Sequence, residues 1–444
     1  VLALTVLAFL SAATWLYLLV AHGRYWVADQ RIPADCGDAA PDDGWPTVVA
    51  VVPARDEASV LPVSLPSLLG QDYPGEFSVL LVDDASSDGT ADVAEKIAGA
   101  QIAAGRDGAG RERGLTIVRS DGPPAGWVGK VAAMNRGVKA IADVESGRVE
   151  GAEGAASGYT VAGGGTDAVS VLSSGGSAVS QPTYLLFTDA DIAHSADSVR
   201  RLVGFAERHD ADLVSLMALL RTETTAERAI VPAFVYSFAQ LYPFPRVNRN
   251  RSRTAAAAGG CMLVRRSALA SAGGLERIAG ARIDDVALGQ LIKRHARNGR
   301  RRIWLGLTRD VRSVRPYPEL RDLWDMVARS AYTQLRYSPV LLIGTLLGLL
   351  VMYGVPPIVG LTCLAVALNG GGSFAAVGAA AALAAWAMMW GSYLPTLRLY
   401  GLRWWRGAAL PAVMMLYGAM TFDSARRHYR GRGGTWKGRT ADDH

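Results

Sequence analysis

The first 21 residues, VLALTVLAFLSAATWLYLLVA, carry no charged side chain. A run of that length matches the roughly 20 apolar residues a helix needs to cross a bilayer. In hydrocarbon every backbone N–H and C=O must find its partner within the protein, so such a run can be a helix and little else. It lacks the basic start and the small-residue cleavage site of a secretory leader. Trp15 and Tyr17 lie near its end and His22, Arg24, Tyr25 and Trp26 follow, the aromatic and basic border of a membrane interface. The expectation is an anchor over 1–21 whose C-terminal end faces the cytoplasm.

The other end repeats the pattern. Residues 340–367 are one long apolar stretch carrying Pro356 and Pro357, and 374–396 are a second. The loop between them, NGGGS, is uncharged, whereas Arg398 to Arg406 is basic and aromatic. The positive-inside rule puts 369–373 outside and 398–406 in the cytoplasm. Residues 408–422 are a third, shorter stretch. If it crossed, the basic tail would lie outside. A re-entrant or interfacial segment is therefore expected there, closing a C-terminal membrane region over 339–425 and leaving 426–444 as a cytoplasmic tail.

Half of the 444 residues are hydrophobic, yet the net charge is +6. The basic residues gather beside apolar spans, in one cluster at Arg246, Arg249, Arg251 and Arg253 and another at Arg426, Arg427, Arg430, Arg432, Lys437 and Arg439. That placement suits an anionic lipid surface. No nucleic-acid motif accompanies the charge, so no nucleic-acid partner is expected. Cys36, Cys261 and Cys363 have no CxxC spacing and no nearby His, which excludes a disulfide framework or a zinc site in favour of three reduced thiols.

Between the apolar ends the chain changes character. Residues 31–46 are polar and read as a linker. TVVAVVP (47–53), VLLV (79–82), LTIV (115–118) and YLLFT (184–188) are short apolar runs that read as buried strands. Helical patterns over 58–70, from about Ala91, and over 129–142 separate them. That alternation predicts an α/β domain over 45–338, a mainly parallel sheet with helices on both faces. A Gly-, Ala- and Ser-rich stretch over 143–182 interrupts it and reads as a disordered insertion, with 99–114 a smaller one. Residues 226–244, apolar and aromatic but broken by Pro232 and Pro243, suit an interfacial or core helix better than a full span.

Charged residues stand where these strands end, which is where open α/β sheets bind ligands. Pro53, Arg55, Asp56 and Glu57 follow the first strand in PARDE, a pattern also compatible with an ordinary solvated loop. Asp83 and Asp84 close the second in VDDASSDGT; they can accept from a base N–H or a ribose hydroxyl, or simply cap the next helix. GKVAAMNRG (129–137) offers Lys130, a point charge for a pyrophosphate, and Asn135, read on the same helical side. FTDADI (187–192) delivers Asp189 and Asp191, two residues apart on an extended chain and so expected to point the same way. Such a pair suits Mg²⁺ or Mn²⁺ shared with substrate phosphates. IDDVALG (283–289) sets Asp284 and Asp285 before a helix, where the dipole also favours acids for purely structural reasons.

This order of elements resembles the inverting family 2 glycosyltransferases of GT-A fold, over roughly residues 45–340. AAAAGGCMLVRR (255–266), RPYP (315–318), RSAYTQLRYSP (329–339) and GRGGTWKGR (431–439) are similar to the hopene-associated glycosyltransferase group within it. The resemblance implies a membrane-bound, metal-dependent hexosyltransferase at the cytoplasmic face of a bacterial inner membrane, using a nucleotide-sugar donor, a UDP-sugar, and a lipid acceptor of hopanoid or other polyprenoid type. By position it gives Asp83 or Asp84 to the nucleotide base, Asp189 and Asp191 to ribose and the metal-diphosphate, and Pro53, Arg55, Glu57, Lys130 and Asn135 to the donor pocket. Asp285 falls on the catalytic base, with Asp284 in the place of the family's Glu. Gly259, Gly260 and Trp436 fall on the acceptor side. Gln334, Arg336 and Tyr337 there match the family's (Q/R)xxRW motif imperfectly, which argues against a processive polysaccharide synthase. A non-catalytic membrane partner is disfavoured because every acidic element is retained. A nucleotidyltransferase is disfavoured by the Asp284–Asp285 pair and the C-terminal tail.

Overall fold

Val48–Ala54 (β1) is buried at every position, because its apolar, largely β-branched side chains have helices to meet on both sides. Val48, Ala50, Val52 and Ala54 share a core with Leu61, Leu65, Leu68 and Leu69 of the helix Leu61–Leu69. Val51 faces the other way, onto the helix Gly129–Glu145, where a Cβ on Gly137 would stand only 2.6 Å from Val51 Cγ1. The absence of a side chain at Gly137 is what lets that helix approach the sheet so closely.

The computed structural model describes residues 1–103, 114–146, 160–162, 169–172, 181–295 and 302–430. They fall into two compact units, one of residues 30–220 and 247–315, the other of 1–29, 221–246 and 316–430. Residues 221–246 and 316–338, joined by sequence to the α/β region, thus pack with the apolar helices instead.

The first unit is built on one sheet. Its strands are β1, Phe77–Asp84 (β2), Leu115–Ser120 (β3), Thr160–Ala162 (β4), Val169–Leu172 (β5), Tyr184–Thr188 (β6), Ile192–His194 (β7), Leu213–Leu219 (β8), Cys261–Arg265 (β9) and Ile303–Ser313 (β10). Their order is β4-β5-β3-β2-β1-β6-β9-β8-β10-β7. The block β3-β2-β1-β6 is parallel, as is β8 with β10, while β9 runs antiparallel between β6 and β8. The sheet is mixed and mostly parallel, flanked by helices, a GT-A architecture. Pro53 lies beyond the last β1–β6 pair, Val51 with Phe187, so its missing N–H falls where that ladder has ended.

Two expectations need correction here. The stretch 143–182 is not all irregular: β4 and β5 add to the sheet edge beside β3, as the β-branched runs TVA and VSVL permit. Residues 31–46 do not hang free: Cys36 is buried in the core, Tyr73 Oη donates to Pro46 O, and Arg201 Nη2 donates to Ile32 O at 3.2 Å. All three cysteines are buried free thiols.

The second unit holds three helices long and apolar enough to cross a membrane, Leu2–Val20, Pro339–Leu368 and Gly372–Leu399. Within the second of these, Leu350–Gly354 widens into a π turn. Pro356 follows, and a proline gives no bond to the carbonyl four residues back. That carbonyl, Met352 O, accepts from Trp15 Nε1 at 2.7 Å. The indole thereby satisfies a backbone group that lipid could not. Thr225–Leu241, opened by a Thr224–Glu227 capping box, is a continuous helix despite Pro232. Leu410–Tyr429 is one helix that continues past the expected 408–422 into the basic Arg426–Arg427 pair, where cations suit a helix C-terminus.

Candidate active site

Every strand-end group expected in the donor pocket lies in the first unit, and the loops after β1 and β2 are laced together. Asp56 takes a left-handed conformation (φ 50°), its N–H donating to Ser86 Oγ and its carboxylate accepting from Ser87 N at 2.8 Å. Ala58 N and Glu57 N donate to Asp88 and Thr90. Asp83 accepts from Ser86 N and Oγ of its own turn. Asp84 is buried 3.7 Å from Arg55 Nη1. Polar side chains here fix the two loops against each other.

Asp189 and Asp191 are not on one extended run. Ile192 N donates to Asp189 O at 3.1 Å, so a tight turn links β6 to β7, and strand alternation does not govern the pair. The two carboxylates have different partners. Asp189 Oδ1 is 2.6 Å from Lys130 Nζ. Asp191 Oδ2 accepts from Ser313 Oγ at 2.6 Å and lies 3.4 Å from Arg315 Nε. Arg315 also donates to both oxygens of Glu57 at 2.6 Å, so one guanidinium ties the β1 loop to the turn after β6.

Lys130 opens the helix Gly129–Glu145 and its ammonium also stands 3.4 Å from Asp284 Oδ2. Asp284 and Asp285 occupy the first turn of the helix Asp284–Arg294. Asp285 accepts from Gly259 N at 2.9 Å and from Val286 N at 2.7 Å. A Cβ on Gly259 would sit 3.0 Å from Lys130 Nζ and 3.4 Å from Asp285 Oδ2, so the cluster closes around a residue that has none. Three carboxylates thus crowd one cation. Burial, helped by the neighbouring Asp284 charge, pushes Asp285 up to about 7 against Lys130 and its two backbone donors. Burial, with like charge from Asp191, also lifts Asp189 to about 6 despite Lys130. Burial disfavours the Lys130 charge, but Asp189, Asp284 and Asp285 together raise its pKa and keep it protonated.

The fold brings Lys130, Asp189, Asp284, Asp285 and Gly259 together, and sets Glu57 and Asp191 around Arg315. Gly260 supports this core: its carbonyl accepts from Thr188 Oγ1 at 2.9 Å. Asn135 is not brought in. Five residues along a helix is about 140° of rotation, and its amide donates to Glu276 instead, at 3.1 Å. Gln334, Arg336 and Tyr337 belong to the second unit. There Gln334 donates to Tyr242 Oη, and Tyr337 stacks on His428 at 4.4 Å. Arg336 and Tyr337 are both left-handed, ending the helix Leu320–Gln334. Trp436 lies outside the described residues. Sequence reasoning missed Arg315 and Ser313 as site residues; the RPYP motif was the signal for the first, and a lone serine at a strand end gives none. His194, beside this site, is a core histidine: burial pushes it down to about 4, and it bonds Thr188 and Ser198.

Among the described residues no three His, Cys, Asp or Glu side chains converge as a ready metal cage. Of the two carboxylates in the turn after β6, Asp191 is held by Ser313 and Arg315, and Asp189 is the one left more open. Mg²⁺ and Mn²⁺ commonly take one or two carboxylates and complete their shell with phosphate and water, and the Asp189 side chain remains 33% exposed.

The sequence model of the family described as glycosyltransferase like family 2 matches residues 46–303, more than half of the chain. The chain belongs to this family. The match ends before Arg315 and before the second half of β10, and it spans the elements that carry Lys130, Asp189, Asp191 and Asp285. No curated protein sequence matches. Solved structures that are similar include the mannosyltransferase PcManGT from Pyrobaculum calidifontis in complex with GDP-Man and Mn²⁺, at 17% identity and TM-score 0.48, covering 97% of this chain and 99% of that one. Glucosyl-3-phosphoglycerate synthase from Mycobacterium tuberculosis in complex with Mn²⁺ and UDP-Glc is 16% identical, with TM-score 0.35, over 66% and 78% of the two chains. S. aureus TarS 1–349 with UDP-GlcNAc is 13% identical, with TM-score 0.35, over 88% and 95%.

Proposed function

We propose that this family 2 chain is a membrane-bound inverting glycosyltransferase that moves a single sugar from a nucleotide-sugar donor, a UDP-sugar, to a hydroxyl of a membrane lipid of hopanoid or other polyprenoid type. The observation that carries the reading is Asp285: a carboxylate held by Gly259 N and Val286 N, raised to about 7, beside a lysine already paired with Asp189. A base is most effective when its pKa lies near the working pH, and general-base help is worth on the order of 10²–10⁴ in rate.

In the proposed reaction Asp285 accepts the proton of the acceptor hydroxyl as that oxygen attacks the anomeric carbon. The bond from that carbon to the diphosphate oxygen breaks, and the nucleoside diphosphate leaves with the bonding pair. Single displacement inverts the anomeric centre. Lys130 supplies fixed positive charge next to the leaving group. Asp189 and Asp191 would hold Mg²⁺ or Mn²⁺, which when bound neutralises charge on the diphosphate. Arg315 positions Glu57 and Asp191 for the donor. The lipid acceptor and a cytoplasmic catalytic face are supported by the three apolar helices and by the basic 398–406 loop.

The test is the product. Lipid-reconstituted protein is given UDP-sugars and extracted bacterial lipid, and the anomeric configuration of the extractable glycolipid is read by NMR. One inverted sugar per lipid is expected. A retained configuration, or a polymer of sugars, would overturn the proposal.

A further inference from the structure

Residues 249–253 of the first unit read RNRSR. Arg249, Arg251 and Arg253 are all exposed, and none has a side-chain hydrogen bond or ion pair among the described residues. No Asp or Glu occurs in the chain between Glu227 and Glu276. The acids on the elements that hold this loop are committed elsewhere: Asp310 of β10 lies 2.6 Å from Arg201 Nη1, and Asp284 lies 3.4 Å from Lys130 Nζ. Asp29, beside Gln30, pairs with none of the three arginines. Among the described residues their charge is uncompensated.

The loop is held at both ends. Lys293, a buried lysine of the helix Asp284–Arg294, donates through Nζ to Val247 O and to Thr254 O, the latter at 2.7 Å. Asn248 Oδ1 accepts from Leu305 N at 2.8 Å, and Asn248 Nδ2 donates to Leu305 O at 3.0 Å and to Gln30 Oε1 at 2.9 Å. Ser252 N donates to Arg249 O at 3.0 Å, which turns the segment between them. A buried ammonium is costly unless it finds acceptors, and this one finds them in the two ends of the loop. With its ends fixed, the loop has less backbone freedom to lose when it meets a partner.

The chain also limits how far these arginines can be from lipid. In the second unit Arg246 Nη2 donates to Ala21 O at 2.7 Å, so Arg246 stands at the end of the apolar helix Leu2–Val20. A chain advances by at most about 3.6 Å per residue, which keeps Arg249 Cα within about 11 Å of Arg246 Cα and Arg253 Cα within about 25 Å. The headgroup layer beside the hydrocarbon is roughly 5–8 Å deep, and at physiological salt its field extends about 8 Å further. We propose that residues 249–253 dock on anionic phospholipid headgroups at the bilayer surface. The proposal rests on the membrane placement of the apolar helices and not on the reaction assigned to Asp285. Charge selects the partner: guanidinium forks match headgroup phosphates bidentately. Each basic residue near an anionic surface tightens association about fivefold, or roughly 100-fold for three.

The test places a nitroxide on the loop of the full chain through Asn250→Cys, the three native cysteines being buried thiols. The chain is put into nanodiscs of phosphatidylcholine alone or with about 30 mol% phosphatidylglycerol, and collision with a neutral aqueous nickel chelate is read by power-saturation EPR. With phosphatidylglycerol the collision rate is expected to fall about threefold or more below its value in phosphatidylcholine, and to recover at about 1 M salt, where the screening length is ~3 Å. The variant Arg249→Gln/Arg251→Gln/Arg253→Gln is expected to lose the difference between the two lipids. Should it fail to fold, Arg251→Glu alone, at an exposed residue, is expected to reduce the difference by half or more. Equal collision rates in the two lipids, or a difference that survives in the variants or at high salt, would overturn the proposal and leave the membrane placement standing. Protection by a short single-stranded oligonucleotide but not by phosphatidylglycerol would assign the loop to nucleic acid instead. A chain that does not enter nanodiscs would overturn both the docking and the membrane placement.

Discussion

Replacing Asp285 by Asn should have opposite effects on activity and on stability. The carboxyl is raised to about 7, whereas in an unfolded chain it titrates near 3.9. Between about pH 4 and 7 the native state therefore holds more protons than the unfolded state, and stability falls as pH rises through that window. Each pH unit is worth about 1.4 kcal/mol, which caps the loss at on the order of 4 kcal/mol at pH 8. Asp285 is partly open to water, and screening brings the figure to about 2 kcal/mol. Asn has no proton to lose and escapes this fall. It does give up one of the two acceptors that meet Gly259 N and Val286 N, at a cost of about 1 kcal/mol. At pH 8 the variant should come out about 1 kcal/mol more stable than wild type, and at pH 5 equal or less stable. Meanwhile its turnover should fall by on the order of 10²–10⁴, about 3–5 kcal/mol of barrier. Thermal unfolding at the two pH values and nucleoside diphosphate release give both numbers. A variant whose relative stability does not change between pH 5 and 8, or one that retains wild-type turnover, would refute the reasoning.

Three further outcomes follow from the same geometry. The wild-type rate should rise with pH through about 7 as Asp285 loses its proton; in Lys130→Met, which removes the opposing cation, that limb should move to higher pH in a pH–rate profile. Arg315→Lys cannot keep two bonds to Glu57 and a contact to Asp191, so the donor KM should rise about tenfold or more with a smaller change in kcat, as charge-assisted bonds are worth about 1.5–3 kcal/mol; an unchanged KM would remove Arg315 from the donor side. Gly137→Ala would press a Cβ to 2.6 Å from Val51 Cγ1; overpacking of about 1–3 kcal/mol outweighs a helix-propensity gain of about 1 kcal/mol, so denaturant midpoints should fall.

Much of the catalytic unit was legible because its signals are local. Four buried strands are apolar runs bounded by polar turns, and β-branched residues two layers deep can hardly be anything else. The acids at strand ends followed from the same pattern. What could not be read depends on the third dimension. Glu57 and Arg315 are brought together from opposite ends of the unit, and no spacing rule links them. The turn after Thr188 replaced an expected extended run, because the chain must reverse there to form β7. Asn135 was misplaced by a rotation that helix geometry itself supplies. Residues 221–246 and 316–338 look like parts of an α/β domain, yet their apolar faces find better partners among the membrane-type helices. The exposed Trp404 and Trp405, with Arg406 over the Trp405 ring, sit in the loop that charge alone had marked as interfacial.

The central claim is transfer from a nucleotide sugar to a lipid at the Lys130–Asp189–Asp285 site. Its most direct test is nucleoside diphosphate release by the purified, lipid-reconstituted protein over a panel of UDP- and GDP-sugars, with and without Mg²⁺ or Mn²⁺ and with and without extracted bacterial lipid. The account predicts release from one UDP-sugar that requires both cation and lipid. Release that is indifferent to lipid, or no release from any donor in the presence of both, would contradict it.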